Sequence, residues 1–501
     1  MLREGGALMN RVFGIETEFG CLVKSPSLGP PERVVELVKE SVFKDNKWGL
    51  LDWHVRDPFF EPARSGGFLI NGGRLYIDAV GSHEEYATPE CRSIFDIVAY
   101  DKAGQRIICQ ALNELGFQDK VSFHNNNIDH FGGHTFGCHE NYSLSPDKYF
   151  SRKALQPLVA FLVTRQIFAG AGRVGGHKLI PTRHSRRSST LLGDVDYVFV
   201  DSAYEVKPDP DVKFQLSQRA DHILHVVSGR VRFNRGLINP KWDSYHDFSR
   251  YTRLHLLFGE SNVSEYATAL KIGTTALVLD LLEMRCIPEI ELAHPIKSLK
   301  EISRDMTWRW ITTLRDGKTI SAIDIQRCYL QAAQRHLAGR DEETDWVLRE
   351  WEYVLDKLEA DPLELSDRLD WVAKFKMLQL FMDAEGVGWD DEALISIDLE
   401  YHNINPEESL FYVLQHSGKT VRVVTDEQIE HAMVNPPRNT RAYARGLIVK
   451  EFIKRGITNY IIEWDCISLA CNLFSDRKWF IMDDPFETYE RHVDWFIKKL
   501  R

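Results

Sequence analysis

The residues able to do chemistry in this chain recur as polar rows on strands. Arg74-Leu75-Tyr76-Ile77-Asp78 alternates cleanly, with Leu75 and Ile77 on one face and Arg74, Tyr76 and Asp78 on the other. A guanidinium, a phenol and a carboxylate then stand roughly 6.5 to 7 Å apart along one strand. Glu16 and Glu18 share a strand face in the same way. Two such carboxylates are either both solvated or repel each other unless a cation lies between them. His139 with Asn141, and Arg253 with His255, repeat the pattern, and Glu85 follows soon after Asp78. Singly, each has a plain reading: a surface Arg–Asp pair, or a histidine satisfied within the structure. Together, the acids and imidazoles suit Mg²⁺ or Mn²⁺, and the arginines suit phosphate oxygens gripped in bidentate fashion. No Gly-x-x-x-x-Gly-Lys-Ser/Thr loop is present, nor a Gly-x-Gly-x-x-Gly turn after a strand. A phosphorylated ligand would lie on an open antiparallel sheet, held by metal and arginines. That points to phosphoryl chemistry at a carboxylate or amide.

The elements that must position these rows are readable from periodicity. Arg11–Gly20 reads as the first strand, and Pro30–Lys44 as a helix with Pro31 near its start. Asp45–Ile70, rich in Gly, Pro, Trp and charge, reads as a loop able to cover a site. Ile94–Leu115 and Lys153–Ala169 read as helices, and the segment around Gly137–Tyr142 as a strand. Gly170–Lys213 is irregular and carries the basic run Arg183–Arg187, by default a solvated loop. Asn262–Glu283 reads as an apolar helix in which Gly273 permits close packing. The pattern from Pro295 to about Ala384 is helical, Pro406–Gly418 reads as a hinge, and the helices 426–434 and 440–455 with the strand Tyr460–Trp464 follow. The expected division is a large domain of residues 9–418 and a small C-terminal domain of residues 419–501.

Composition bounds the function. A chain of 501 residues implies more than one domain, and 44% hydrophobic with 27% charged residues is ordinary for a globular protein. The formal charge of −11 argues against a general nucleic-acid binder. Eight scattered cysteines fit reduced thiols rather than a disulfide or zinc framework. No apolar run is long enough for a membrane span, and the first residues lack a signal-peptide core, so a cytoplasmic location is expected.

Ordered motifs go further. GIETEFG at 14–20, NGGRLYIDAVGSHEEYATPEC at 71–91, GCHENY at 137–142, FQLSQRADHI at 214–223, RLHLLFGESN at 253–262 and NPPRNTRAYARG at 435–446 resemble the Pup ligase/Pup deamidase family (PafA/Dop) along nearly the whole chain. The resemblance implies an α+β, glutamine-synthetase-like fold: a curved antiparallel sheet backed by helices, with a small C-terminal α+β domain. It implies ATP and Mg²⁺ as cofactors. A Pup-like protein modifier and its conjugated proteins are the implied partners, without nucleic acid or membrane. Asp78 matches the family's essential carboxylate. Glu16, Tyr76, Glu85, His139 and His255 match positions around Mg²⁺, which Glu18 adjoins on its strand face. Arg74, Thr88, Asn141, Arg253 and Trp464 match positions that contact ATP.

Two branches share these motifs. GIETEFG, Val80-Gly81-Ser82-His83 and GCHENY look like the ligase. The stretches 52–68, 101–106, 172–175, 354–374 and 439–446 look like the deamidase, and on their number the expected activity is Pup deamidation or depupylation, with the Pup–protein ligase as its alternative. A small-molecule glutamate–amine ligase shares the sheet chemistry but not the full-length motifs, and a non-catalytic modifier-binding adaptor would have lost part of the polar set. One extra residue separates Asp78 from Glu85 relative to both branches. Asn239–Asp243 replaces a more acidic segment, and 175–212 is longer than usual.

Overall fold

The computed structural model describes residues 9, 11–51, 66–78, 83–130, 133–145, 152–181, 204–228, 235–239, 250–469 and 478–498. The basic run 183–187, most of the covering loop expected over 45–70, and residues 240–243 lie outside that set.

Strand alternation builds the central sheet. The chain supplies β1 (Phe13–Val23), β2 (Gly49–Leu51), β3 (Gly66–Leu69), β4 (Arg74–Asp78), β5 (His83–Ala87), β6 (Val121–His124) and β7 (Cys138–Leu144). Two short pairs follow, β8 (Arg173–Val174) with β11 (Phe214–Gln215) and β9 (His177–Pro181) with β10 (Tyr204–Pro208). β12 (His225–Val227), β13 (Gly236–Asn239) and β14 (Thr252–Leu256) complete a ten-stranded sheet in the order β12-β13-β14-β7-β1-β5-β4-β3-β2, with β6 also paired to β1. All its pairings are antiparallel except β12 with β13.

One face of this sheet is dry. Phe13, Ile15 and Phe19 of β1, Leu75 of β4, Tyr86 of β5, Tyr142 of β7, and Leu254 and Leu256 of β14 are all buried. They pack on the helices Pro31–Phe43, Ile94–Leu115, Arg152–Thr164 and Glu265–Glu283. Ser93 caps the second of these by accepting from the amides of Phe95 and Asp96, and Gly116 ends it in the left-handed region. Gly273 does permit close packing: a Cβ there would sit 2.4 Å from Val347. Two carboxylates also face the dry side. Glu140 is held by Arg165 and the Tyr142 hydroxyl. Glu84 has no hydrogen-bond partner, and burial pushes its carboxyl well above the usual range.

A separate apolar core joins Ala444–Phe452, Tyr460–Leu469 and Phe480–Phe496 to Leu50 and Phe68 of the sheet edge, whereas Val424, Ile429 and Ala432 pack in the main core. Two expectations need correction. The stretch after Pro295 is interrupted by the hairpin Ile311–Thr313 with Thr319–Ser321, turned at Asp316-Gly317 where Gly317 has φ of 88°. The expected hinge at 406–418 contains the helix Leu410–His416, anchored by buried Phe411 against Val263, Ala373 and Tyr401. No helix among the described residues is long and apolar enough to cross a membrane.

Candidate active site

Register decides which polar side chains meet on the other face. Because successive residues alternate, each strand's wet row lies on the same side of the sheet, and the pairing lines the rows up across strands. Glu16 of β1 stands opposite His139 of β7, and Asn141 of β7 opposite His255 of β14. Glu18 stands opposite Glu85, which in turn faces Tyr76 of β4. Asp78, at the end of β4, is paired with His83 at the start of β5.

Side-chain geometry follows that register. Glu16 accepts from Asn141 Nδ2 at 3.1 Å, lies 3.3 Å from His139 Nδ1 and 3.6 Å from His255 Nε2, and has Arg253 at 3.5 Å. Arg253 also donates to Asn141 Oδ1 at 3.0 Å. One ligand atom from each of Glu16, His139 and His255 falls within 4.8 Å of the others, a spacing a single cation can span. The Arg74 guanidinium lies 4.7 Å from the Tyr76 ring and 5.5 Å from that of Phe68.

The acids do not titrate alike. Burial alone would raise the Glu18 carboxyl, but the hydrogen bond and charge of His83, with the charge of His139, hold it down to about 2. Glu85 goes the other way: burial first, then the charges of Asp78, Glu18 and Glu16, push it well above the usual range. Tyr76 is raised by burial and by Glu85. Packing acids this closely is costly in an empty site and favourable around a divalent cation, whose charge lets every carboxylate ionise.

Gly137 supplies an independent sign of such a cradle. A Cβ on Gly137 would lie 2.5 Å from Glu18 Oε1 and 2.6 Å from His139 Nε2, so the backbone approaches the acid and imidazole as closely as only glycine allows. The donor set therefore fits a divalent cation. Gly137→Ala is expected to weaken Mn²⁺ binding by ~10–100-fold while the fold persists, the range seen when the surroundings of metal ligands are disturbed. Paramagnetic titration measures this, and unchanged affinity would remove Glu18 and His139 from the cation site.

Beside the acids lies a pocket lined by Gly14, Glu16, Thr88, Asn141, Arg253 and Trp464. Thr88 Oγ1 accepts from the Ile15 amide at 3.1 Å, fixing its orientation. Trp464, from the C-terminal unit, packs edge-on against Phe68 at 5.1 Å. Every residue expected at a metal or nucleotide from the sequence thus lies on the wet face or in this pocket. Reading the sequence missed His83, Glu90, Arg441 and Arg445. Glu90 accepts from Arg441 Nε at 2.8 Å and from Arg445 Nη1 at 3.2 Å. The Arg445 guanidinium lies 4.7 Å from the Trp464 ring. Arg441 and Arg445 lie in NPPRNTRAYARG, and His83 and Glu90 in the 71–91 motif, but their partners are far away in the chain.

A large, mainly antiparallel sheet that presents acids, imidazoles and arginines beside an open pocket, with helices behind, is the glutamine-synthetase-like architecture. Within it, the chain belongs to the Pup ligase family: the Pup-ligase protein family pattern matches residues 11–468. The Pup–protein ligase of Paenarthrobacter aurescens (strain TC1) is 33% identical over 98% of this chain and 99% of its own length. That of Mycobacteroides abscessus is also 33% identical, over 98% of this chain and all of its own. The crystal structure of the complex between Pup and its ligase PafA matches with a TM-score of 0.78 at 30% identity, covering 98% of this chain and 92% of that one. PafA in complex with ADP matches with a TM-score of 0.73 at 33% identity, covering 87% and 90%.

These likenesses overturn the expected deamidase/depupylase activity, since the relatives and structures are ligases. The deamidase-like stretches differ in where they fall: 439–446 reaches the pocket through Arg441, but others lie away from it. Asp101–Arg106 and most of Val354–Lys374 lie on helices packed behind the sheet. The ligase-like segments at 14–20 and 137–142 line the chemistry itself.

Proposed function

We propose that this protein is an ATP-dependent ligase that joins the C-terminal glutamate of a Pup-like modifier to lysines of target proteins. The observation that carries this reading is similarity to Pup–protein ligases over 98% of the chain, coinciding with one contiguous wet face of acids, imidazoles and arginines. In this reading residues 9–418 carry the chemistry. Residues 419–501 close the nucleotide pocket through Trp464 and Arg441.

The reaction has two displacements. The modifier's γ-carboxylate attacks the γ-phosphorus of ATP, the bond to the bridging oxygen breaks, and ADP leaves with a γ-glutamyl phosphate formed. A lysine amine then attacks the acyl carbon, phosphate departs, and the isopeptide bond is made. Asp78 takes the ammonium proton so that the amine is nucleophilic. Arg74 and Arg253 offset negative charge on the phosphates, and Thr88, Asn141 and Trp464 orient the nucleotide. Glu16, Glu18, Tyr76, Glu85, His139 and His255 would hold Mg²⁺, which supplies charge neutralisation at the phosphoryl group when bound. In this reading those residues hold the phosphates on the same sheet face as Asp78.

The test is one assay with ATP, Mg²⁺, a modifier ending in Glu and a lysine-bearing protein. ADP is expected to appear in step with new conjugates. Ammonia from a Gln-ending modifier, or cleavage of preformed conjugates, without any ligation would sink the reading.

A further inference from the structure

We propose that His83 is a positioning residue: its Nδ1–H holds the Glu18 carboxylate in its cation-binding orientation and ties it to the end of the strand that carries Asp78. The inference deepens the ligase reading and rests on it for the role of the cation.

The geometry is specific. His83 Nδ1 lies 2.9 Å from Glu18 Oε2, and both side chains are largely buried, at 15% and 10% exposed. A carboxylate can only accept, so the proton of this hydrogen bond sits on Nδ1. The ring is also packed against Phe136, with centroids 4.4 Å apart, which removes its freedom to turn away. On the other side His83 is the register partner of Asp78, so the two residues close the β4–β5 hairpin. Glu18 sits directly across from Glu85 in the β1–β5 pairing, where like charges repel. His83, on the β5 side of β1, holds Oε2, and the Gly137 backbone on the opposite side supplies a second hydrogen bond to the same carboxylate. With Oε2 fixed on the β5 side, Oε1 is left facing Gly137 and His139, whose Nε2 converges with it on the same spot in space. Outer partners of this kind commonly set the orientation of a metal ligand.

The chemistry of the donor gives a discriminating series. An asparagine side chain can place its amide N–H near the position of Nδ1, whereas glutamine places it near Nε2. His83→Gln is therefore expected to weaken Mn²⁺ binding to the full-length protein by ~10-fold or more, and His83→Asn to restore most of it. Binding is read by electron paramagnetic resonance without modifier or target, and thermal unfolding checks that both variants fold alike. Wild-type affinity in His83→Gln, or equal loss in both variants, would overturn the proposal. A wild-type protein that binds Mn²⁺ and ATP yet forms no conjugates would instead defeat the ligase reading and leave the role of His83 standing.

Discussion

Asp78→Asn is expected to abolish conjugate formation, by about 10²–10⁴-fold or more, because it removes the group that accepts the lysine proton. The substitution is isosteric, and Asp78 lies at the end of β4 beyond the pocket lined by Thr88, Asn141, Arg253 and Trp464. Nucleotide binding is therefore expected to survive largely intact. The variant also deletes one of the charges that raise Glu85, so cation affinity should not fall with turnover. Gel analysis of conjugates, ADP release and titration with a fluorescent nucleotide separate these effects. Retained turnover would rule Asp78 out as the base. A parallel loss of nucleotide and metal binding would mean instead that the strand end had shifted.

The wet face was legible from sequence because a strand with one dry side must alternate, and slipping by one residue would put every acid into the core. Thus Glu16, Glu18, Tyr76, Asp78, His139, Asn141, Arg253 and His255 were identifiable before any pairing was known. What alternation does not encode is which strands are neighbours. His83 looks unremarkable until β5 is set against β4 and β1, where it meets Asp78 on one side and Glu18 on the other. Glu84, next in line, points to the dry face, where burial outweighs the charge of nearby Lys39 and raises its carboxyl, which local composition does not announce. The branch of the family was misjudged for a related reason. Counting similar stretches weighs helices in the core equally with the strands that do chemistry. The helices Glu342–Ala360 and Asp370–Glu385, which carry 354–360 and 370–374, answer to packing partners rather than to a substrate.

The second large effect lies where the C-terminal unit grips the sheet. Arg445 is fully buried and donates to Gly72 O at 2.7 and 3.0 Å, to Trp464 O at 2.8 Å, and to the Glu90 carboxylate. Thr440 Oγ1 also donates to the Glu90 carbonyl. Burial would raise the Glu90 carboxyl, but the charges and hydrogen bonds of Arg445 and Arg441 hold it down to about 2. A group depressed in the folded state stabilises it above the ordinary value near 4.5 and loses that contribution as pH falls toward 2. Arg445→Met leaves Glu90 buried with Arg441 as its remaining cation among the residues that hold it here. Breaking one side of such a buried pair costs on the order of 3–5 kcal/mol. The variant is expected to unfold at clearly lower denaturant concentration near neutral pH, with the difference from wild type shrinking as the acid range is entered. Nucleotide affinity should fall with it, since Trp464 and Arg441 line the pocket from the displaced unit. Equal stability of the two proteins at pH 7 would mean that this clasp does not hold the pocket together.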